Sequence, residues 1–180
     1  MRTTLLAIVS SVQIIGLPSE TNADTLISDF VDVCAHHFQS NEAAKQEARS
    51  LGYSENDFVD PSVTMGVKQE LEALTGDSVV FWNVTESPER IAFFSIGSAS
   101  KVFPDTKRVC AFVVLGGNAK IAQGDLVTQM FLSSPDRAST TPDQTTMLWE
   151  LDGNATKRVV RFNTSNQSEV DGYALALFVF

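Results

Sequence analysis

The sequence KRVCAFVVL occupies residues 107–115 and is apolar from its third residue to its last. A short apolar run that is rich in β-branched residues predicts a strand buried on both faces at the centre of a sheet. Two segments of similar composition precede it, SVVFWNV at 78–84 and RIAFFSI at 90–96. The turn between them contains Pro88, so they are expected to pair as a hairpin. The core of the fold is therefore expected to form around residues 107–115.

The chain after this strand predicts one helix and three more strands. Gly116 and Gly117 end the central strand, and Asn118 is placed to cap a helix that reaches about residue 132. A polar stretch with two prolines, residues 133–143, is predicted to be a loop. The three strands are predicted at 145–151, 156–162 and 173–180.

The chain before the first strand is dominated by helical patterns. Residues 24–38 place apolar side chains along one helical stripe. Ser40 and Gly52 are placed as the N-terminal cap and the C-terminal stop of a helix over 41–51, and residues 67–74 predict a third helix. Helices that precede hairpin-connected strands predict an α+β fold, with N-terminal helices packed on a largely antiparallel sheet of about six strands and one further mid-chain helix.

The first 23 residues have the order of a secretory signal peptide. Arg2 is followed by an apolar stretch, by the helix breaker Pro18 and by small residues that end at Ala23. The alternatives are a buried first helix of the domain and a membrane anchor that is retained. The signal-peptide interpretation predicts a periplasmic or secreted protein whose residues 24–180 form a single domain, with no membrane span after cleavage.

The two cysteines, Cys34 and Cys110, are the only ones in the chain. An even count in an exported protein favours a disulfide, which would fasten the first helix to the central strand. One alternative is two buried thiols that pack as small apolar side chains. In another, Cys34 is a nucleophile and His37, on the same helix face, is its base.

Charge is unevenly distributed along the chain. The net charge is −9, from 13 basic and 22 acidic residues, which argues against non-specific nucleic-acid binding. Residues 24–88 contain 12 acidic and 3 basic residues, whereas residues 89–180 contain 9 of each. A partner that binds through charge is therefore expected to be basic or cationic and to dock on the helices. The basic residues Lys157, Arg158 and Arg161 lie on a predicted strand, but Lys157 and Arg158 face opposite ways, so the three are not predicted to form one patch.

Motifs for catalysis and cofactor binding are scarce. The sequence contains no phosphate-binding loop, dinucleotide fingerprint, zinc-protease motif, C-x-x-C motif or EF-hand loop, and no cofactor is predicted. Candidate metal ligands are one histidine and two pairs of aspartates spaced three residues apart: His37, Asp29, Asp32, Asp57 and Asp60. The alternative for these carboxylates is a solvated surface. Four N-x-[ST] sequons would accept glycans in a eukaryotic secretory route, at Asn83, Asn154, Asn163 and Asn166.

Several features together resemble a group of small exported proteobacterial proteins. They are the signal-peptide pattern, Phe30-x-x-x-Cys34 in the first helix, Leu51-Gly52-Tyr53 after the second, and Cys110 in a mid-chain strand. The resemblance covers mainly residues 24–115. It implies an exported location and a disulfide between helix and sheet.

These observations favour an exported, non-enzymatic binding or structural domain whose partner is an unidentified protein or small ligand. The first alternative is a small hydrolase that uses carboxylates or the pair Cys34 and His37. The second alternative is a metal-binding protein. A pocket lined by His37 or by clustered carboxylates would favour catalysis, whereas a flat apolar patch would favour a protein partner.

Overall fold

An eight-stranded antiparallel sheet forms the centre of the fold. The structure is a computed structural model that describes residues 25–55, 61–76, 80–84, 91–98, 100, 102–151, 156–166 and 172–180. The strands lie in the order β1-β2-β3-β4-β8-β7-β6-β5. Their bounds are β1 Ser54–Glu55, β2 Phe81–Val84, β3 Ile91–Gly97, β4 Arg108–Leu115, β5 Arg137–Thr140, β6 Gln144–Leu151, β7 Arg158–Ser165 and β8 Gly172–Val179.

The central position predicted for residues 107–115 is confirmed. Strand β4 pairs with β3 on one side and with β8 on the other, and its residues from Val109 to Val114 are buried. The hairpin predicted between the two preceding strands is also present, as β2 and β3. Because β4 and β7 are each antiparallel to β8, they run in the same direction and begin at the same end of the sheet.

The helices are α1 Thr25–Phe30, a π-helical segment Val31–His36, α2 Asn41–Ser50, α3 Pro61–Thr75 and α4 Ala119–Gln129. The predicted cap of α2 is confirmed, since the Ser40 hydroxyl accepts the backbone N–H of Ala43 at 3.2 Å. Gly52 follows the end of α2 with φ +88°, a backbone conformation that favours glycine. The Asn118 side chain likewise accepts the N–H groups of Lys120 and Ile121 at the start of α4.

The two faces of the sheet form separate cores. One face packs against α1, the π-helical segment, α2 and α4, and at its centre the rings of Phe94 and Phe112 stack 5.9 Å apart. Helix α3 packs on the other face, where buried Leu71 joins Phe93. The α+β class is therefore confirmed, with helices on both faces of the sheet.

Three details of the prediction were wrong. The sheet has eight strands rather than about six, because β1 has only two residues and β5 lies in the stretch predicted as a loop. Every side chain of β5 is exposed, so hydrophobic periodicity could not reveal it. Helix α3 begins at Pro61 rather than near residue 67, as proline is well suited to a first helical turn. The second half of the first helix is π-helical, with hydrogen bonds one residue longer than in an α-helix.

The predicted signal peptide, residues 1–23, lies outside the described residues, so it stays a prediction. In the described part of the chain, none of the helices has the length and apolar character needed to cross a membrane.

Candidate functional site

The two cysteines are joined in the structure. Cys34 of the π-helical segment and Cys110 of β4 form a disulfide, with their Cα atoms 5.6 Å apart. This bond fastens the first helical region to the central strand, as the even cysteine count predicted. In the disulfide form Cys34 carries no thiol, and the alternative in which Cys34 is a nucleophile with His37 as its base stays a prediction.

The candidate metal ligands of the first helical region have separate partners. The Asp29 carboxylate accepts the hydroxyl of Tyr53 at 2.8 Å, and Asp32 lies 3.1 Å from Nδ1 of His36. Nε2 of His37 lies 3.8 Å from a carboxylate oxygen of Glu47. Within the described ranges no three His, Cys, Asp or Glu side chains are placed to hold a metal ion. Asp57 and Asp60 lie outside those ranges, so a site there stays a prediction.

The sequons differ in accessibility. Asn163 is half-buried on β7, and its side-chain oxygen accepts Nε of Arg161 at 3.1 Å. Asn166 is exposed, although its amide donates to the carbonyl of Thr141 at 2.7 Å. Asn83 lies half-buried on β2, and Asn154 lies outside the described residues.

Four cations meet at one end of the sheet. Arg108 begins β4 and Arg158 begins β7, and both pair in register with Val179 of the strand between them. Each arginine follows a lysine, Lys107 or Lys157. Lys157, Arg158 and Arg161 of one strand were predicted not to form a single patch. That prediction did not include the Lys-Arg sequence of β4, which lies two strands away at the same end of the sheet. The Lys-Arg sequence that recurs at the start of two strands is the sequence feature that could have predicted this cluster of cations.

The two arginines converge on one aromatic side chain, Phe38. Nη1 of Arg108 donates to the carbonyl of Phe38 at 3.0 Å. The guanidinium of Arg158 lies over the Phe38 ring, 4.7 Å from its centroid. Both arginines are half-buried. Phe38 lies just after the π-helical segment that the disulfide fastens to β4, so the covalent bond helps to place it.

The two lysines have different surroundings. Nζ of Lys157 lies 3.0 Å from a carboxylate oxygen of Glu150 and 5.9 Å from the centroid of the Phe180 ring. The side chain of Lys107 is exposed, and its backbone N–H donates to the carbonyl of Val179 at 2.7 Å. Lys157 is therefore neutralised by a neighbour, whereas Lys107 extends into solvent.

Two of these cations, Lys107 and Arg108, line a cavity of about 280 Å³, which we call the cationic pocket. It is lined by Phe38, Gln39, Lys107, Arg108, Thr156, Val179 and Phe180, and Arg158 adjoins it through Phe38. No carboxylate in the described part of the chain lies within ion-pair distance of Lys107, Arg108 or Arg158. The pocket thus combines hydrogen-bond donors, positive charge and apolar surface.

A second cavity of about 310 Å³ opens at the opposite end of the sheet. Its polar lining is mostly neutral and includes Gln144 and Asn163, with one carboxylate, Asp143. Asp143 has an interaction partner within the protein. This cavity therefore lacks the converging charges of the cationic pocket.

Comparison of the chain with protein-family models, with curated proteins and with solved structures finds no match. The resemblance to small exported proteobacterial proteins therefore stays a prediction. The chemistry of the cationic pocket has to be argued from its own residues.

Proposed function

We propose that the protein is an exported, non-enzymatic binding domain that takes a small anionic ligand in the cationic pocket. One observation carries the proposal: Arg108 and Arg158 flank Val179 on the same face of the sheet and lack a carboxylate partner among the described residues. A charged side chain that is partly removed from water and has no counter-charge keeps N–H donors without an acceptor. An anion would supply that counter-charge.

Arginine suits this role. Its guanidinium has five N–H donors in a planar fork that matches a carboxylate or a phosphate, and it stays charged at any physiological pH. Arg108 uses Nη1 on the Phe38 carbonyl and Arg158 is held over the Phe38 ring, so both side chains are oriented before a ligand arrives. Such preorganisation lowers the entropy cost of binding.

Two features support export. The order of charge, apolar stretch, helix breaker and small residues over 1–23 is that of a signal peptide. The disulfide between Cys34 and Cys110 is the kind of bond that persists in oxidising compartments. Detection of the protein in a periplasmic or culture-medium fraction, with residues 1–23 removed, tests this part of the proposal.

The binding experiment compares the wild-type protein with an Arg108→Gln/Arg158→Gln variant. Inorganic phosphate is added at constant ionic strength, and the midpoint of thermal unfolding is recorded. We expect phosphate to raise the midpoint of the wild type and to have little effect on the double variant, because a ligand that binds only the folded state stabilises it.

Phosphate also stabilises proteins non-specifically, so a control is needed. Lys120→Gln removes an exposed cation from α4, which follows the other end of β4, and this variant should respond like the wild type. The proposal is wrong if phosphate has no effect on the wild type, or if it shifts all three proteins equally.

A further inference from the structure

We propose that two copies of this chain associate through α4, with the two helices antiparallel and with Phe131 of each copy packed on Ile121 of the other. The inference is independent of the anion-binding function, since neither residue lines the cationic pocket. It follows from an aromatic side chain that is almost fully exposed and from the spacing of its neighbours along the helix.

The way α4 ends places Phe131 in solvent. The N–H of Phe131 donates to the carbonyl of Thr128 at 3.4 Å, and the N–H of Leu132 donates to the carbonyl of Val127 at 2.9 Å. This pattern ends a helix on a residue in the left-handed region, where glycine is usual, and Phe131 has φ +53°. Its side chain is also 94% exposed, more than any other large apolar residue in the described part of the chain. The fold therefore holds an aromatic ring in water, in a backbone conformation that a bulky residue rarely adopts.

Three further exposed residues of α4 lie in line with Phe131. Ile121, Gly124 and Thr128 recur at the three- and four-residue intervals that place side chains on one face of a helix, and Ile121 is 45% exposed. The Thr128 hydroxyl donates to the carbonyl of Gly124 at 2.9 Å, within the helix. We call these four residues the outer stripe. It has a large apolar side chain at each end and small residues between them.

The outer stripe is complementary to itself in an antiparallel pair. When two helices oppose each other around a two-fold axis, positions at equal distances on either side of the centre face each other. With position 126 at the centre, Phe131 faces Ile121 at both ends and Gly124 faces Thr128 between them. The small residues let the two backbones approach, and the large side chains cover both ends of the contact. A second copy of the chain therefore matches the stripe at all four positions.

The charge of α4 favours a second copy over a charged partner. The outer stripe contains no charged residue, and the whole helix has one base and one acid, Lys120 and Asp125. In the antiparallel pair the two Lys120 positions lie at opposite ends, roughly 18 Å apart along the helix axis, where salt screens their repulsion. A basic or acidic partner would find no opposite charge on the stripe. The same neutral surface from another copy meets no such mismatch.

The exposed area is enough for a small interface. A phenylalanine side chain buries about 150–250 Å², so the two Phe131 side chains bring roughly 400 Å² and cover a comparable area of the opposite copy. Specific interfaces bury about 1,200 Å² or more in total, so Ile121 and the helix surface around Gly124 have to supply the rest. The contact is therefore at the small end of the range, and the dimer is expected to be weak.

Sedimentation equilibrium of the disulfide-bonded protein, from about 1 µM to about 1 mM, measures the association. We expect the wild type to change from monomer to dimer over this range. Phe131→Gly should weaken the dimer about tenfold or more, because it removes both rings. Glycine is favoured at φ +53°, so the variant should fold at least as well as the wild type. Val102→Ser is the matched control: it removes an exposed apolar side chain away from α4 and should leave the dimer unchanged.

A second variant tests the close approach of the helices. In the described part of the chain, no atom lies within 4 Å of where a Cβ on Gly124 would be placed, so Gly124→Lys is accommodated in the monomer. Lysine also favours a helix more than glycine does. In the dimer its side chain would separate the backbones and place two like charges close together. We therefore expect the dimer to be lost without a lower midpoint of thermal unfolding at low protein concentration.

Cross-linking tests the orientation. Ile121→Cys and Phe131→Cys proteins are mixed and oxidised, and the disulfide formed is identified by mass spectrometry. In the antiparallel dimer the two copies of position 121 lie roughly 15 Å apart along the helix axis, which is further than a disulfide spans. Position 121 of one copy instead faces position 131 of the other. The mixed disulfide should therefore form faster than either symmetric one.

Each measurement has an outcome that contradicts the proposal. A wild type that stays monomeric over the whole concentration range would overturn it and leave a different protein as the occupant of this face. A dimer that persists in both Phe131→Gly and Gly124→Lys would overturn it by assigning the association to another surface. Equal weakening by Phe131→Gly and Val102→Ser would show non-specific association. Faster formation of the symmetric disulfide at position 121 would rule out the antiparallel arrangement.

Discussion

The first helical region, residues 25–55, and the cationic end of the sheet handle charge in opposite ways. The helical region belongs to the acidic half of the chain, yet four of its five carboxylates have a polar partner within the protein. Asp29 lies with Tyr53, Asp32 with His36, Glu47 with His37, and Glu55 with Arg49. The half with equal numbers of acidic and basic residues holds Lys107, Arg108 and Arg158 without a described carboxylate partner. The net charge of a segment therefore does not locate the charge that is available to a ligand.

This difference changes where a charged partner is expected. The composition of the helices predicts a basic or cationic partner on their surface, and that expectation stays untested. The geometry of the sheet favours an anion at its cationic end, because the guanidinium groups there are concentrated and oriented. The partners that each charged side chain has within the protein therefore matter more than the net charge of its segment.

The disulfide connects the two regions, and its removal is expected to have the largest effect. A Cys34→Ala/Cys110→Ala variant opens a loop with a sequence separation of 76 residues, and we expect the free energy of unfolding to fall by about 4 kcal/mol. Urea denaturation measures this change. Because Phe38 lies close to Cys34 in sequence and Arg108 lies close to Cys110, phosphate binding should weaken as well.

The wild-type protein treated with a reducing agent is the matched control, since it keeps both side chains without the bond. It should unfold at a lower urea concentration than the oxidised protein. If the variant and the reduced protein are both as stable as the oxidised one, the disulfide does not hold the helical region on the sheet.

A hydrogen bond to a carboxylate of the helical region predicts an intermediate effect. Tyr53 is buried and donates its hydroxyl to the Asp29 carboxylate at 2.8 Å, so Tyr53→Phe should lower the free energy of unfolding by about 2 kcal/mol. The phenyl ring keeps the edge contact with Phe94, at 5.0 Å between centroids. Asp29→Asn is the control, because it keeps an acceptor and should cost less. An unchanged stability of Tyr53→Phe would show that this carboxylate is not held by the hydroxyl.

The smallest effect on stability is expected at Lys107. Its side chain is exposed and lacks a described carboxylate partner, so Lys107→Gln should change the free energy of unfolding by less than about 0.5 kcal/mol. The same variant should show a smaller thermal shift with phosphate. Arg49→Gln is the paired comparison, because Arg49 is bound to Glu55 in the helical region and should not affect phosphate binding. A larger loss of stability for Lys107→Gln than for Arg49→Gln would contradict the contrast between the two regions.

Most of the regular structure was predictable from local pattern. The apolar run that contains β4, the cap at Ser40 and the stop at Gly52 each depend on residues close in sequence, and each is present. The pairing of Cys34 with Cys110 was predictable because only two cysteines exist. Strand β5 was missed, because an exposed edge strand is held by backbone hydrogen bonds to β6 and has no buried side chains to mark it.

The candidate site was not predictable in the same way. Each strand contributes a Lys-Arg pair whose two side chains face opposite ways, so neither pair forms a patch alone. The two arginines come to the same level on the same face only through the register of β4 and β7 against β8.

Residue type and spacing along the chain account for the α+β class, the helix ends and the central strand, because short-range sterics, capping and hydrophobic periodicity act over a few residues. The strand order, the π-helical turn before Phe38 and the convergence of two arginines on that ring depend on contacts between residues far apart in sequence. Such contacts are selected by the packing of the whole core, and the charge that is left without a partner is known only once that packing is in place.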